Sequence, residues 1–319
     1  MGSASVEQPN NVSQPDNEVV KKQSNFSDIE VLSDTSVSSS SSQRSEQLRG
    51  SELKDQLKAL LSKYNGSTKH PDVVKVIEEL STLNPTPCNA AKSSLFLGEF
   101  YALTSPNFPG RIKPAEGQED IVQYTLGRLS FNIFQPHKLV CTLRGVRNPV
   151  TTNQQPSDDD DDDSKQTYSY PLFLDITIHT ENGDLPAILR NEAICYENPD
   201  IPNRLMVSFT GGTLMPAEEV RKDPARLKLW AETFEGAYKK ADEERSYVGR
   251  IFQYIIKLLL GLTLPSDDDQ LKHSFHFDMK RSPVGYLDVL YLDEDLRITK
   301  GNRGTVVVVE RATKFMTEQ

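Results

Sequence analysis

The stretch Leu172-Phe173-Leu174-Asp175-Ile176-Thr177-Ile178-His179 decides the fold, because Leu or Ile stands at every second position. Successive side chains of a β-strand point to opposite faces, so this pattern predicts a strand with one mainly apolar face. Glu181-Asn182-Gly183-Asp184 follows and carries the Asn-Gly pair that is typical of tight hairpin turns. We therefore predict a β-hairpin at this point in the chain.

The same two-residue period recurs on both sides of this hairpin, for example in Leu139–Leu143 and Leu205–Phe209. The predicted strands are about 96–104, 121–134, 138–147, 168–181, 185–196, 203–211, 272–280, 286–292 and 304–310. A series of strands joined by short turns favours a mainly β fold that closes into an antiparallel β-barrel. A β-sandwich is the alternative.

Helical periodicity occurs in two parts of the chain. The first part predicts two N-terminal helices, one over residues 51–64 and one that follows Pro71, which lie against the end or wall of the barrel. The second part is an inserted helical segment over residues 217–262, whose portion after Tyr247 is apolar on most sides. The most apolar run, Val248–Leu264, contains two basic residues, and its length and charges argue against a membrane span.

Composition divides the chain into three parts. Residues 1–49 are rich in Ser, Asn and Gln with little apolar periodicity, which predicts a disordered N-terminal region. Residues 50–312 form the predicted barrel domain and residues 313–319 a tail. Within the domain, the six aspartates Asp158–Asp163 repel one another and are expected to remain solvated.

Charge and residue usage exclude several classes of function. The formal net charge of −10 argues against a nucleic-acid partner. Three cysteines are too few for a disulfide framework. His273 and His276 are three residues apart in a predicted strand and so face opposite sides, and we expect no metal site and no cofactor. The chain has no GxSxG, Walker A or HExxH motif, which predicts that it is not an enzyme.

Two stretches resemble a known family. Leu97-Gly98-Glu99-Phe100-Tyr101-Ala102-Leu103-Thr104-Ser105 resembles the opening of the plastid lipid-associated protein (PAP)/fibrillin family, with Phe100 where the family usually has Trp. Tyr291-Leu292-Asp293-Glu294-Asp295-Leu296-Arg297-Ile298-Thr299-Lys300-Gly301-Asn302-Arg303-Gly304 looks like the C-terminal signature of that family. The resemblance covers about residues 50–312.

The resemblance implies a lipocalin-like barrel in plastids (chloroplasts), associated with plastoglobules or thylakoids. It also implies non-catalytic binding or organisation of prenylquinones, carotenoids and other lipids. The expected partners are an apolar lipid or isoprenoid ligand and a peripheral membrane or plastoglobule surface. Residues 1–49 are Ser-rich like a transit peptide but carry several acidic residues, unlike one.

The signature supplies candidate polar residues. Asp293, Asp295 and Arg297 share one face if the stretch is extended. One interpretation is structural, with Arg297 paired to the carboxylates, and the other is a polar anchor for a ligand head group. Gly301 and Gly304 bracket a turn into the last strand, where access to positive φ explains them without a function.

Apolar candidates for the ligand site come from the alternation itself, because an eight-stranded barrel is wide enough to hold one small ligand or to be filled by side chains. The predicted inward positions are Phe100, Phe131, Leu174, Ile176, Val207 and Phe209. They either contact the ligand or simply pack together. Two other functions remain open: an interaction scaffold that docks a partner or membrane through residues 217–262, and an enzyme with Asp293 or Asp295 as acid or base.

Overall fold

We describe the protein from a computed structural model. The described residues are 37–88, 90–118, 120–153, 166–243, 262–263, 273–279 and 284–312. Contacts divide the chain into two units, residues 1–44 and residues 45–319. The predicted solvated run Asp158–Asp163 and tail 313–319, and all but residue 262 of the apolar stretch 248–262, lie outside the described residues.

Five α-helices occur in the described residues. They are α1 (Val37–Lys63), α2 (Pro71–Thr82), α3 (Leu126–Leu129), α4 (Glu218–Arg221) and α5 (Pro224–Glu243). Two 3-10 turns, Ala90–Lys92 and Ser94–Phe96, precede the first strand. Helix α1 starts at Val37, inside the region 1–49 for which disorder was predicted, and residues 1–36 of that region lie outside the described residues.

Within the described ranges, twelve strands follow the predicted order with three additions. They are β1 (Gly98–Ala102), β2 (Gln123–Thr125), β3 (Val140–Thr152), β4 (Thr167–Ser169), β5 (Leu172–Thr180), β6 (Gly183–Glu197), β7 (Arg204–Pro216), β8 (Leu262–Thr263), β9 (Phe275–Met279), β10 (Val284–Leu292), β11 (Leu296–Gly301) and β12 (Val306–Arg311). The additions are β4, split from the start of a predicted strand, and β8 and β11, which were not predicted.

Eight of these strands close into a ring. Antiparallel pairings connect β6, β5, β3, β1, β12, β11, β10 and β7 in that order, and β7 pairs back to β6. The ring confirms the predicted mainly β, antiparallel barrel and not the sandwich. Each ring strand pairs with a strand on both sides over part of its length, so the ring has no free edge strand.

The prediction of one strand over residues 121–134 was wrong beyond Thr125. The Thr125 side chain accepts a hydrogen bond from the backbone N–H of Arg128 and caps α3. Phe131 and Asn132 then take positive φ values of 53° and 60°, which no strand contains. The chain therefore turns back after a short strand and a single helical turn.

The inward-facing side chains form two layers. The first, which we call the apolar layer, comes from one end of β3, β5, β6 and β7 together with β2, β9, α3, α4 and α5. Its largest buried members are Tyr124, Leu126, Phe134, Trp230, Phe234 and Phe277. Trp230 and Phe234 of α5 are buried here, so this part of the predicted insert belongs to the core.

The second layer lies in the other end of the ring, beneath the two 3-10 turns. It surrounds the buried guanidinium of Arg297, and we call it the cationic layer. Its members besides Arg297 include Phe96, Phe100, Asn148, Tyr170 and Cys195. Both layers thus contribute buried side chains to the interior of the ring.

Helices α1 and α2 pack on the outer face of β10, β11 and β12. Leu57, Leu61 and Val73 are among their buried residues, and they join Ile298 and Val308 in one cluster. Pro71 begins α2, as predicted, and the buried residues of this helix are Val73, Val76, Ile77 and Leu80. Among the residues that the structure describes, no helix combines the length and apolar composition that a bilayer crossing requires.

Candidate ligand site

The wall of the ring has a gap where two strands that pair with β3 part from each other. Strand β3 pairs with β2 over Val140–Thr142 and with β1 over Arg147–Val150, on the same side. Arg144–Val146 lies between these two pairings, and a bulge between Leu143 and Gly145 bends the strand there. Because β1 and β2 diverge at this point, neither of them pairs with β3 over Arg144–Val146.

A cleft of about 290 Å³ occupies this gap. The apolar part of its lining comes from Ala102, Leu103, Pro106, Val122, Leu143 and Val146. Leu143 and Val122 are buried, and they also belong to the apolar layer. The cleft therefore gives access from the surface to the inward-facing wall of the ring.

Polar groups border the cleft. Asn65, Asp120 and Arg144 contribute to its lining, and Arg144 is exposed. On one side of the cleft, the turn after α1 contacts the segment that follows β1. The N–H of Ser105 donates a hydrogen bond to the carbonyl of Gly66 at 2.9 Å. Gly66 has φ +71°, and a Cβ there would lie 2.3 Å from the Ser105 nitrogen, so only glycine fits this contact.

Arg297 is the most unusual group of the interior, since its side chain is only 1% exposed. Its guanidinium lies 4.2 Å from the ring centroid of Phe100, 5.3 Å from that of Phe96 and 5.4 Å from that of Tyr170. Nη2 donates to Oδ1 of Asn148, whose own Nδ2 donates to the carbonyl of Pro171 at 2.9 Å.

No carboxylate pairs with Arg297 in the described part of the chain, and its Nε and Nη1 are buried without a hydrogen-bond acceptor there. Burial away from water lowers the pKa of the guanidinium. Three aromatic faces offset this cost in part through cation–π attraction. The site therefore holds a buried positive charge, and the Nε and Nη1 donors of Arg297 have no acceptor among the described residues.

The predicted pairing of Arg297 with Asp293 and Asp295 was wrong. A turn separates β10 from β11, so the carboxylates face α1, where Lys54 Nζ lies 2.8 Å from Asp293 and 2.7 Å from Asp295. Arg297 instead belongs to β11, where it lies opposite Val309 on the inward face. The extended conformation assumed for the whole signature does not hold at the turn.

Asp293 has a structural role that leaves its carboxylate little capacity for other chemistry. Its Oδ1 accepts from the backbone N–H groups of Asp295 and Leu296, and its Oδ2 accepts from the hydroxyl of Tyr291 at 2.7 Å. Burial alone raises the pKa of Asp293, but the hydrogen bonds from Lys54, Tyr291 and the backbone outweigh it, and the net shift is downward. These contacts fit a turn anchor and not a general acid.

The signature glycines lie in the β11–β12 turn, as predicted. Gly304 has φ +76°, whereas Gly301 is the last residue of β11 and does not have a positive φ. The conformational explanation therefore applies to Gly304 alone.

The predicted ligand-facing residues divide between the two layers. Leu174 and Ile176 are buried in the apolar layer, Phe100 is buried against Arg297, and Val207 and Phe209 are half-buried. The inward placement predicted for Phe131 was wrong. This residue has a positive φ, lies in a turn and not in a strand, and is 41% exposed. Its ring packs on that of Phe209, with 5.2 Å between the ring centroids. None of the six lines the cleft, and their contact with a ligand stays a prediction.

Residues of the cleft and Asn148 were missed by the sequence reasoning. One signal was available, because a glycine inside a strand pattern, here Gly145, indicates a bulge or a close approach. Asn148 and Lys54 carried no such signal, since their partners are about 150 and 240 residues away in the chain.

Other reactive groups are held in structural contacts. Thr142, His179 and Asp184 form a hydrogen-bonded chain across β3, β5 and β6, and Gln123 donates to Thr142. Desolvation by burial raises the pKa of Cys141 and of Cys195 to about 12, so neither thiol ionises near neutral pH. In the portion covered by the structure, no group of His, Cys, Asp or Glu is arranged to hold a metal ion.

Comparison with known proteins gives one match. The PAP_fibrillin family model matches residues 202–310, which run from just before β7 to the penultimate residue of β12. This match confirms the predicted PAP/fibrillin resemblance, and it includes Arg297 and Asp293 but not the cleft. No curated protein and no solved structure matches the chain.

Proposed function

We propose that this protein binds the apolar chain of a plastid lipid, such as a prenylquinone or a carotenoid, and catalyses no reaction on it. The observation that carries the proposal is the gap between β1 and β2, where inward-facing apolar side chains border a surface cleft. The family match supports the lipid class and the association with plastids.

The size of the cleft limits how the ligand binds. Small-molecule sites usually have volumes of about 300–1,000 Å³, so a cleft of about 290 Å³ holds only part of a long isoprenoid. The remainder of the chain then stays in the lipid phase. A protein of this kind works at the surface of a plastoglobule or thylakoid and takes up a segment of lipid from it.

Burial of apolar surface supplies the driving force. Each buried CH₂ group contributes about 0.8 kcal/mol, so a segment of several carbons is sufficient for useful affinity. The polar residues at the rim, Asn65, Asp120 and Arg144, remain near water when the chain enters. No nucleophile or metal is required for this function.

The test is retention of decylplastoquinone by the purified, delipidated protein after gel filtration, with the quinone measured by absorbance. We expect a stoichiometry near one per chain for the wild type. Val146→Phe narrows the cleft and is expected to reduce retention at least about tenfold.

The matched control is Thr151→Phe, which enlarges an exposed residue of the same strand and is expected to bind like the wild type. Absence of bound quinone in the wild type would refute the function. Equal retention by the wild type and Val146→Phe would refute the cleft as its site.

A further inference from the structure

We infer that Arg297 is the receptor for an oxygen-anion head group, and that the ligands which bind best are apolar chains ending in a carboxylate. This inference rests on the proposed function and adds the chemistry of the ligand to it. It comes from the two guanidinium nitrogens, Nε and Nη1, which are buried without an acceptor in the described part of the chain.

The charge around Arg297 is not balanced from within the site. The titratable groups that act on it are Tyr170, Cys195 and Arg311, and the last of these is a second cation. Arg297 and Arg311 both lie on the ring of Phe100, at 4.2 and 4.6 Å from its centroid. Arg311 is only partly buried and interacts with Asp293, Asp295 and Glu294, whereas no carboxylate of the described residues acts on Arg297.

The two arginines differ in how far their donors are used. Arg311 donates to the backbone carbonyls of Leu95, Leu97 and Glu294, so each of its three guanidinium nitrogens has an acceptor. Among the residues that the structure describes, Arg297 donates to Asn148 alone. A buried guanidinium is costly unless it is paired and hydrogen-bonded, so an incoming carboxylate gains both a counter-charge and unused donors.

The register of the strands connects the cleft to Arg297. Ala102 lines the cleft and lies opposite Val309, which in turn lies opposite Arg297 on the same face. The spacing of neighbouring strands places Arg297 about 10 Å from Ala102 across the sheet. On the other wall, Val146 of the cleft is two residues from Asn148, the partner of Arg297.

Phe100 is the side chain that separates the two sites. It lies on the same inward face of β1 as Ala102, two residues before it, and it is paired with Asn148 of β3. The ring is fully buried against the guanidinium, so it must move aside for a head group to enter. The head group then contacts Arg297 while the chain leads back through the cleft.

The experiment compares two probes of equal chain length, palmitate and hexadecan-1-ol, by equilibrium binding at pH 8 to the wild type and to Arg297→Met. We expect the wild type to prefer palmitate by at least about tenfold, as charge-assisted hydrogen bonds are the stronger ones. Arg297→Met should lose this preference while its affinity for the alcohol stays within about twofold of the wild type.

Arg297→Lys keeps the charge without the planar fork, and its preference is expected to lie between those of the other two proteins. A wild type that binds both probes with equal affinity overturns the inference by itself, whether or not the variants fold, and leaves the lipid-binding function intact. A preference for palmitate that survives in Arg297→Met also overturns it. Failure of the wild type to bind either probe refutes the proposed function instead.

Discussion

The two layers of the interior are made differently, although the same strands β3, β5, β6 and β7 contribute to both. The apolar layer is packed from aliphatic and aromatic side chains such as Ile176, Phe134 and Trp230. The cationic layer encloses the unpaired guanidinium of Arg297 among three rings. The first arrangement serves stability, while the second carries a buried charge whose cost in stability the proposed carboxylate ligand would offset.

The largest effect is expected in the apolar layer. Phe134 is fully buried and its ring contacts that of Phe277 at 5.4 Å. Phe134→Ala should therefore lower the free energy of unfolding, measured in urea, by about 3–5 kcal/mol through lost burial and a residual cavity. Phe131→Ala, which truncates an exposed ring, is the control and should cost less than about 1 kcal/mol. Equal losses in the two variants would contradict this account of the packing.

A smaller loss of unfolding free energy is expected when the acceptor of the Arg297 hydrogen bond is removed. Asn148→Ala should lower the free energy of unfolding by about 1.5–3 kcal/mol, because the hydrogen bond that it removes involves a buried charge. In the Arg297→Met background the same substitution should cost clearly less. A double-mutant cycle measures the difference, and additive losses would show that the two side chains are not coupled.

Arg297→Met should move the unfolding free energy in the opposite direction. Replacing a buried charge by an apolar side chain of similar length is neutral or stabilising, here by about 1 kcal/mol, since the site has no carboxylate to leave unpaired in the described residues. Urea unfolding without ligand provides the measurement. A loss of more than about 2 kcal/mol would mean that cation–π contacts with Phe96, Phe100 and Tyr170 outweigh the cost of burying the charge.

The smallest effect concerns Asp293, outside both layers. Its pKa is lowered in the folded protein, so its ionised form contributes stability above its unfolded pKa, and this is lost as the pH falls through the lowered pKa. Asp293→Asn should lower the unfolding free energy by about 1 kcal/mol at pH 7, and the difference from the wild type should shrink below about pH 4. Asp295→Asn, at a more exposed carboxylate, is the milder control. A difference that does not vary with pH would contradict the ionic contact with Lys54.

Much of the fold followed from local pattern. The alternation in β5 predicted its buried face correctly because Leu174, Ile176 and Ile178 all face the apolar layer. The hairpin was also predicted correctly, although Thr180 pairs with Gly183, so the two turn residues are Glu181 and Asn182 and Gly183 begins β6 with φ +137°. Strand β11 was not predicted, because Leu296–Thr299 is buried on both faces and its burial does not alternate along the strand. One face packs against the helices and the other lies inside the ring.

The candidate site was less predictable than the fold. Arg297 was singled out, but its neighbours come from the second 3-10 turn, β1, β3 and the segment before β5. A sequence pattern does not specify such distant contacts. The cleft depends on where β1 and β2 part along β3, which is a property of register. Register between strands far apart in the chain is set by packing, not by local propensity.

The cover formed by α1 and α2 has a consequence for shortened forms of the protein. These helices conceal a stripe of Tyr291, Leu296, Ile298 and Val308 on the outside of the ring. A chain trimmed to begin after Thr82 would present that stripe to water, and we expect it to self-associate or precipitate even though every strand of the ring is still encoded. The two N-terminal helices therefore keep this apolar surface out of water, and shortened forms made for expression should retain them.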